Sequence, residues 1–360
     1  MSIRIDCKKQ KFSKLPMQAI LNSKTMDTDW NYIPLGIIDD SKQSVVGWHM
    51  KDYADTERIG AVGGSLLLIG GVGSGTSVVE KSILYHMNKF RSNFQIIGAD
   101  ILRTPNSQPE FCHLRDKLDI VLPDRQVIAD ALLTLQRLMM NRFRLMEKAK
   151  VSNYFKISGR KVPYYTFNGE TYQFDKLFEV EACLENQETG KSQGDRYLGE
   201  KHIDMMTIED IYKTLRDKPE ISLTVNGQKL GRLDIEETTG ILTPQDITIF
   251  LPNFQFLMDS EDYTSVDKIK YNLSSIMRLG KAAGISIVLG VNKLSSKAIP
   301  SDLLDNIQTI IVLGDFDQIT SIRAFGRDLS DESRPDIRGR GIIRVYSNIH
   351  AIQIFDKIIL

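Results

Sequence analysis

The chain reads as an α/β protein with a mostly parallel central sheet flanked by helices, and three observations carry that reading. Short, continuous apolar runs with the signature of buried strands alternate with longer segments of helical periodicity. One such run feeds directly into a glycine-rich turn and then a helix. Between two stretches of this alternation lies a segment of different texture, acidic and punctuated by hairpin turns.

At about 150 residues per domain, 360 residues suggest two or three structural units. Residues 1–60 read as an N-terminal tail and β element. Their first twenty residues hold no unbroken apolar core of a signal peptide. Residues 34–48 show period-two patches around Asp39-Asp40-Ser41-Lys42, which predicts a short antiparallel hairpin serving as a lid or edge. Residues 61–166 read as the first half of the core. Leu66-Leu67-Leu68-Ile69 predicts a strand, and residues 78–90, with Val79, Ile83, Tyr85, Met87 and Phe90 at helical spacing, predict a helix. Residues 94–99 predict a second buried strand ending at Asp100, and residues 125–150 a long helix with Ile128, Leu132, Leu135, Leu138 and Met139 on its apolar side.

Residues 167–246 read as an acidic α+β insertion, with seventeen acids against nine bases, Asn168-Gly169 and Asn226-Gly227 turns, and a helix over 207–215. Residues 247–360 read as the second half of the core. Strands are predicted at 247–251, 285–291 and 309–313, with helices at 267–283 and near 301–306. No period of a solenoid or propeller is present.

Lys plus Arg and Asp plus Glu both number 46, so no global field draws the chain to nucleic acid. The balance is nevertheless a sum of unlike parts. Residues 137–161 hold eight bases and one acid, residues 4–24 hold six bases and Asp6, and Arg334, Arg338, Arg340 and Arg344 cluster near the end. If these stretches share a face, phosphate contact with salt-sensitive affinity follows. No aromatic ladder accompanies them, which argues against single-strand stacking. Cys7, Cys112 and Cys183 form no CxxC and fit a reducing compartment, and the five histidines lack metal-ligand spacing. The apolar runs fall short of the ~20 residues that cross a bilayer, so a cytoplasmic location is expected.

The glycine-rich turn, Gly70-Gly71-Val72-Gly73-Ser74-Gly75-Thr76-Ser77, fits the phosphate-loop frame GxxxxGK[ST] everywhere except the lysine, where Thr76 stands. In such a loop the backbone N–H groups cradle phosphates, the lysine neutralises the β and γ charges, and the next hydroxyl binds Mg²⁺. The cradle and the Ser77 hydroxyl are kept. ATP and Mg²⁺ are therefore expected to bind weakly or not at all.

Three further stretches resemble the motor domain of the FtsK/SpoIIIE family of hexameric DNA-translocating ATPases, a branch of the RecA-like P-loop fold. The longest runs from Met277 to Thr309, MRLGKAAGISIVLGVNKLSSKAIPSDLLDNIQT; the second spans residues 127–158 and includes ADALLTLQRLMMNRFRLMEKAKVSNYFKI; the third is Gly339-Arg340-Gly341. The resemblance covers most of residues 34–165 and 247–345. It implies a RecA-like fold and places the Walker B strand at residues 247–251. There Pro252 and Asn253 stand where the family has Asp-Glu, and Asn292-Lys293 stands where it usually has Gln-Arg.

Losing a general base typically costs ~10²–10⁴ in rate and losing a charge-stabilising donor ~10²–10³, so the changes at Thr76, Pro252, Asn253 and Asn292 imply weak or no hydrolysis. Asp259, Glu261 and Asp262 lie beyond the strand end, and Lys81 is expected to point away from a nucleotide, so none is expected to replace the lost groups. The implied protein is a pseudo-ATPase subunit of a ring, or associated with one, that handles double-stranded DNA. Arg323 and Arg327 are candidate trans-acting arginines, and Arg137, Arg142, Arg144, Arg338 and Arg340 candidate DNA contacts. Two alternatives stand beside this one. In the first, an active DNA-dependent ATPase is completed by a partner subunit, as in a hetero-ring. In the second, a degenerate ATPase like those of type VII secretion binds protein substrates.

Overall fold

The computed structural model describes residues 30–38, 44–49, 60–62, 64–99, 115–157, 159–182, 202–218, 222–259, 262–333 and 337–354. The first half of the core contains β1 (Tyr32–Ile38), β2 (Val45–His49), β3 (Gly60–Val62), β4 (Ser65–Ile69), α1 (Thr76–Lys89), β5 (Phe94–Ala99), β6 (Ile120–Leu122) and α2 (Arg125–Ala149). The second half contains β14 (Asp246–Leu251), α4 (Gln255–Met258), α5 (Tyr263–Leu279), β15 (Ile285–Val291), α6 (Ser301–Leu304), β16 (Thr309–Leu313), α7 (Gln318–Phe325), β17 (Arg340–Val345) and β18 (Asn348–Ile354). These strands form one eleven-stranded sheet in the order β3-β2-β1-β18-β17-β16-β4-β15-β14-β5-β6. It is parallel from β16 through β6 and between β2 and β3, and antiparallel elsewhere.

The central strands β4, β14, β15 and β16 are buried along their whole lengths, as a parallel sheet covered on both faces requires. Side-chain alternation assigns the layers. Leu67 and Ile69 pack with α2 and α5 on one face, whereas Leu66 and Leu68 pack with α1 on the other. The helices start where the sequence offers caps: the side chains of Asp124, Asp262 and Asp317 accept backbone N–H groups at the starts of α2, α5 and α7.

The N-terminal hairpin forms, but not as a lid or edge. All of β1 is buried and pairs with β18 as well as with β2, so it is an interior strand. The reason is the C-terminal hairpin β17–β18, which inserts between β16 and β1 and for which no strand was expected. The Asp39–Lys42 turn, Asp100, Glu261, Arg334, the three cysteines and the N-terminal tail lie outside the described residues.

The acidic segment builds a separate pair of small sheets, with its first strand starting at Lys161 rather than at 167. Here β7 (Lys161–Phe167), β8 (Glu170–Gln173) and β13 (Glu236–Ile241) form one sheet, and β9 (Leu177–Ala182), β10 (His202–Thr207), β11 (Leu223–Val225) and β12 (Gln228–Leu230) the other. The predicted turns carry left-handed backbone at Asn168-Gly169 and Asn226-Gly227, the conformation that matches strand twist. The helix α3 (Ile208–Asp217) starts at its Thr207 cap and shares an apolar cluster with both sheets and with Met146 and Tyr154.

A buried ion pair ties this unit to the core. The Arg142 guanidinium, 1% exposed, donates to Asp175 Oδ2 at 3.1 and 2.8 Å and to the carbonyls of Ala283 and Gly284 at 2.8 and 3.0 Å. The Tyr154 hydroxyl donates to the same carboxylate oxygen at 2.7 Å. Nearby, Asp246 opens β14 and is 1% exposed. Burial pushes its carboxyl up to about 6, although Thr248 and Ser286 donate to it and the Arg142 charge favours its ionised form.

A folded-state value above the ordinary aspartate value of about 4 favours the protonated form on folding. Asp246 therefore contributes most below about pH 4 and progressively less as pH rises through about 6, a loss on the order of 2–3 kcal/mol. Asp246→Asn is expected to be more stable than the wild type near pH 7.5, with the gap closing near pH 4.5. Urea midpoints measured at both pH values check this, and a pH-independent gap would contradict it.

Candidate functional site

Strands β4, β15 and β14 lie side by side, with Val291 opposite Ile69 and Leu251 opposite Leu289, so their carboxyl ends finish nearly level. Leaving β4, the chain crosses by α1 to β5 on one side and later returns to β16 on the other. Ligands of open α/β sheets bind outside carboxyl ends at such a switch point. A cleft of about 120 Å³ opens there. It is lined by Gly71, Val72, Gly73, Thr76, Ser77 and Glu80 from the loop and α1, by Asn253 after β14, and by Gly290, Val291 and Asn292 of β15 and its end.

The loop begins as an extension of the sheet, with the Gly70 amide donating to Val291 O at 3.0 Å, and turns back with Ser74 N donating to Gly71 O at 3.1 Å. Glycine is required at two positions, by packing at Gly70 and chiefly by a left-handed φ of 111° at Gly75. A Cβ at Gly70 would lie 2.4 Å from Ser74 Oγ, and one at Gly75 would lie 2.7 Å from Ile354 Cδ1. Gly71 and Gly73 differ: no heavy atom lies within 4 Å of an added Cβ, so the backbone borders open space. Gly75 caps α1 without a side-chain hydrogen bond, and Thr76 and Ser77, the first two residues of the helix, line the cleft. This arrangement fits a phosphate group, although no side chain at position 76 brings a positive charge.

Gly339 braces the loop from behind: its amide donates to Ser74 O at 3.0 Å, and its carbonyl accepts the Ile354 amide at 2.9 Å. Beyond β14, buried Pro252 leads into Asn253, whose φ of 52° is the left-handed conformation that asparagine tolerates better than most residues. Phe254 N donates to Gly290 O at 2.7 Å and pins this turn to β15. Residues 252–253 bring no carboxylate to the end of β14.

Asn292 lines the cleft, and its amide donates to Gln255 Oε1 at 3.2 Å. Lys293 turns away and pairs with Asp317 at 3.0 Å. The amide and hydroxyl of Thr320, together with Lys293, hold the Asp317 carboxyl down at about 2. That pair joins the end of β15 to the helix carrying Arg323. The Arg323 guanidinium is half-buried and donates to Leu294 O at 3.3 Å and Ile299 O at 2.6 Å, whereas Arg327 is exposed.

Two of the expected DNA contacts are corrected. Arg142 and Arg340 are each 1% exposed, Arg142 within its ion pair and Arg340 in β17, so neither side chain reaches a surface. Arg137, Arg144 and Arg338 are exposed. Arg137 and Arg144 border a groove of about 530 Å³ whose wall also carries Asp204 and Asp210 of the acidic unit, so this face of α2 is of mixed sign.

Among the residues weighed as replacements, Asp259 pairs with Lys297 at 2.6 Å, Asp262 caps α5, and Lys81 is not part of the cleft lining. The residue that sequence reasoning missed is Glu80. It lies four positions after Thr76 and three after Ser77, a spacing that puts all three on one helix face. For Mg²⁺, the cleft offers the Ser77 hydroxyl and the Glu80 carboxylate. Among the described residues, no group of three or more His, Cys, Asp or Glu could hold a metal ion, and no helix is long and apolar enough to cross a membrane.

Comparison with solved structures gives the fold. The conjugation coupling protein TcpA of pCW3, in a monomer form with ATPγS, superposes with a TM-score of 0.59 at 16% identity, over 96% of this chain and 71% of that one. ATPases 2 and 3 of EssC from Geobacillus thermodenitrificans give 0.52 at 16% identity, over 90% of this chain and 44% of theirs. The cytoplasmic domain of the Thermomonospora curvata type VII secretion ATPase EccC gives 0.51 at 13% identity, over 90% and 28%. Neither the scan against protein-family models nor the search of curated proteins found a match. The fold is that of FtsK/SpoIIIE-type P-loop ATPases.

The two arginines of the α7 region are expected to part in behaviour. Arg323→Ala leaves two carbonyls without their donor and should lower stability by about 1–3 kcal/mol, while Arg327→Ala should stay within about 0.5 kcal/mol. Denaturant midpoints of both variants check this, and equal effects would contradict the placement.

Proposed function

We propose that the chain is a nucleotide-binding but catalytically degenerate subunit of FtsK/SpoIIIE type, working in the cytoplasm on duplex DNA as part of a ring or against one. One observation carries the reading: the cleft keeps the phosphate-cradling backbone and the Ser77 hydroxyl, yet has Thr76, Pro252 and Asn253 where an active site needs a lysine and two carboxylates. In this reading the loop amides and the α1 N-terminus hold the phosphates, and Ser77 holds the Mg²⁺ that accompanies a nucleotide. No residue at 252–253 can take a proton from an attacking water, so binding outlasts turnover. Exposed Arg327 is the arginine left to reach a neighbouring subunit. The DNA partner draws support from the conjugation coupling protein among the neighbours and from exposed Arg137, Arg144 and Arg338.

A second reading, capture of a protein segment in the manner of a type VII secretion ATPase domain, is favoured by the groove beside α2. Both charge signs line it, along with Met140, Met205 and Met206, side chains that adapt to varied apolar partners.

Nucleotide binding and hydrolysis measured with and without duplex DNA test the proposal. The unmodified protein should bind nucleotide with negligible hydrolysis, and Thr76→Lys should bind on the order of tenfold more tightly or better through one restored charge. DNA affinity should fall with salt at a log–log slope of about −0.9 per phosphate contacted. Robust hydrolysis by the unmodified protein overturns the degenerate reading, and salt-insensitive or absent DNA binding favours the protein-segment reading.

A further inference from the structure

Four consecutive residues of β10, Asp204 to Thr207, line the groove of about 530 Å³ beside α2. Successive side chains of a strand point to opposite faces, so a groove touched by all four runs along an edge of the strand and not over one face. Because β9 covers one edge of β10 and β10 ends its sheet, the groove follows the free edge. The ladder tells which main-chain groups that edge presents. The Ile208 amide donates to Lys176 O at 2.9 Å, and the amide and carbonyl of Leu177, opposite Thr207, are both taken by the Gln95 side chain. Hydrogen-bonded pairs alternate along an antiparallel ladder, so Asp204 and Met206 turn their main-chain groups to β9, while Ile203 and Met205 turn theirs outward. The Met205 amide donates there to the Asp204 carboxylate at 2.8 Å, a local cap that an incoming strand can displace.

The two walls carry opposite charge. Arg137 and Arg144 stand exposed on α2, about 10 Å apart along its axis, and Asp204 and Asp210 stand on the side of the acidic unit. Asp204 and Asp210 accept hydrogen bonds from Met205 and Thr207, and Arg144 donates to Asn141, but none of the four forms an ion pair with a described residue. We infer that the free edge of β10 takes up an extended segment of a partner protein as an added strand, with its acidic residues towards Arg137 and Arg144 and its basic residues towards Asp204 and Asp210. The inference deepens the second reading above, capture of a protein segment, and needs neither nucleotide nor DNA. In such an addition main-chain bonds hold the strand and alternate side chains select its sequence. Met205 belongs to the apolar cluster on the α2 side, and Met206 packs against the cluster on the α3 side, so the two faces of the added strand meet different walls. Exposed Met140 and half-buried Met206 give each face one adaptable apolar contact. The α2 wall from Thr134 to Arg144 is about 15 Å long, the reach of about five extended residues.

The probe is a fluorescein-labelled eight-residue peptide with Glu-Leu-Val-Glu at its odd positions and Lys-Val-Val-Lys at its even positions, titrated into the full chain and followed by anisotropy. A peptide of the same composition with both signs on each face should bind on the order of tenfold more weakly. Residues of the added strand that face α2 lie opposite Ile203 and Met205, so their amides point at β10. N-methylation of the odd residues should therefore abolish binding, and N-methylation of the even residues should leave most of it. Combining Arg137→Glu with Arg144→Glu changes two exposed side chains and should weaken the first peptide on the order of tenfold or more, while a version with Lys in place of its two Glu residues should regain affinity for that variant. If the two N-methylated peptides bind equally, strand addition falls while capture of a protein segment stands. If no peptide binds, both fall together. Sedimentation of the chain alone supplies the remaining outcome: a dimer that the double variant dissociates would make a second copy the occupant and overturn the inference.

Discussion

The ion pair of Arg142 and Asp175 stands where three parts of the chain meet. Arg142 comes from the long helix α2, Asp175 from the loop between two strands of the acidic unit, and the Ala283 and Gly284 carbonyls from the turn that launches β15. With one guanidinium satisfied on three sides, the small sheets cannot shift without leaving a buried charge unpaired, a change that typically costs about 3–5 kcal/mol. The Tyr154 ring adds a cation–π contact, with Arg142 Cζ 4.1 Å from its centroid. The arrangement also fixes β15 at its start, because Gly284 O accepts the Ile247 amide of β14 as well. Strands set in register at their amino ends deliver their carboxyl ends level, and the cleft is made there.

The cleft is braced by an element far away in sequence. The C-terminal hairpin returns to pair with both β16 and the N-terminal β1, and on its way Gly339 takes the carbonyl of Ser74. Gly341 must lack a side chain there, since a Cβ would lie 2.0 Å from Val312 O. The Gly-Arg-Gly segment singled out by resemblance thus serves here as a support for the phosphate loop. Its arginine is buried within β17 and does not present charge to a partner.

The parallel core was largely legible because its strands are fully buried apolar runs and its longer helices carry apolar residues at helical spacing, both local signals. The loop frame and its missing lysine were legible for the same reason. What escaped was set by contacts distant in sequence. The interior position of β1 depends on β18, some three hundred residues later, and nothing in residues 34–48 encodes that partner. Arg142 and Arg340 read as surface charges because a basic stretch gives no sign of which member meets an aspartate or a strand pair. Glu80 stands at helical spacing from Thr76 and Ser77, but spacing alone does not show whether a carboxylate on α1 is turned into the cleft or out to solvent.

The cleft departs from the phosphate-loop frame along a physical divide between backbone and side chains. What remains, the loop amides and the N-terminus of α1, comes from backbone and is obtained whenever strand, glycine turn and helix fold in that order. A lysine at position 76 and acids at 252–253, which this chain does not have, are side-chain chemistry that the fold does not require. Glu80 is buried at this cleft, and Gly290 lacks the side chain that would crowd its carboxylate.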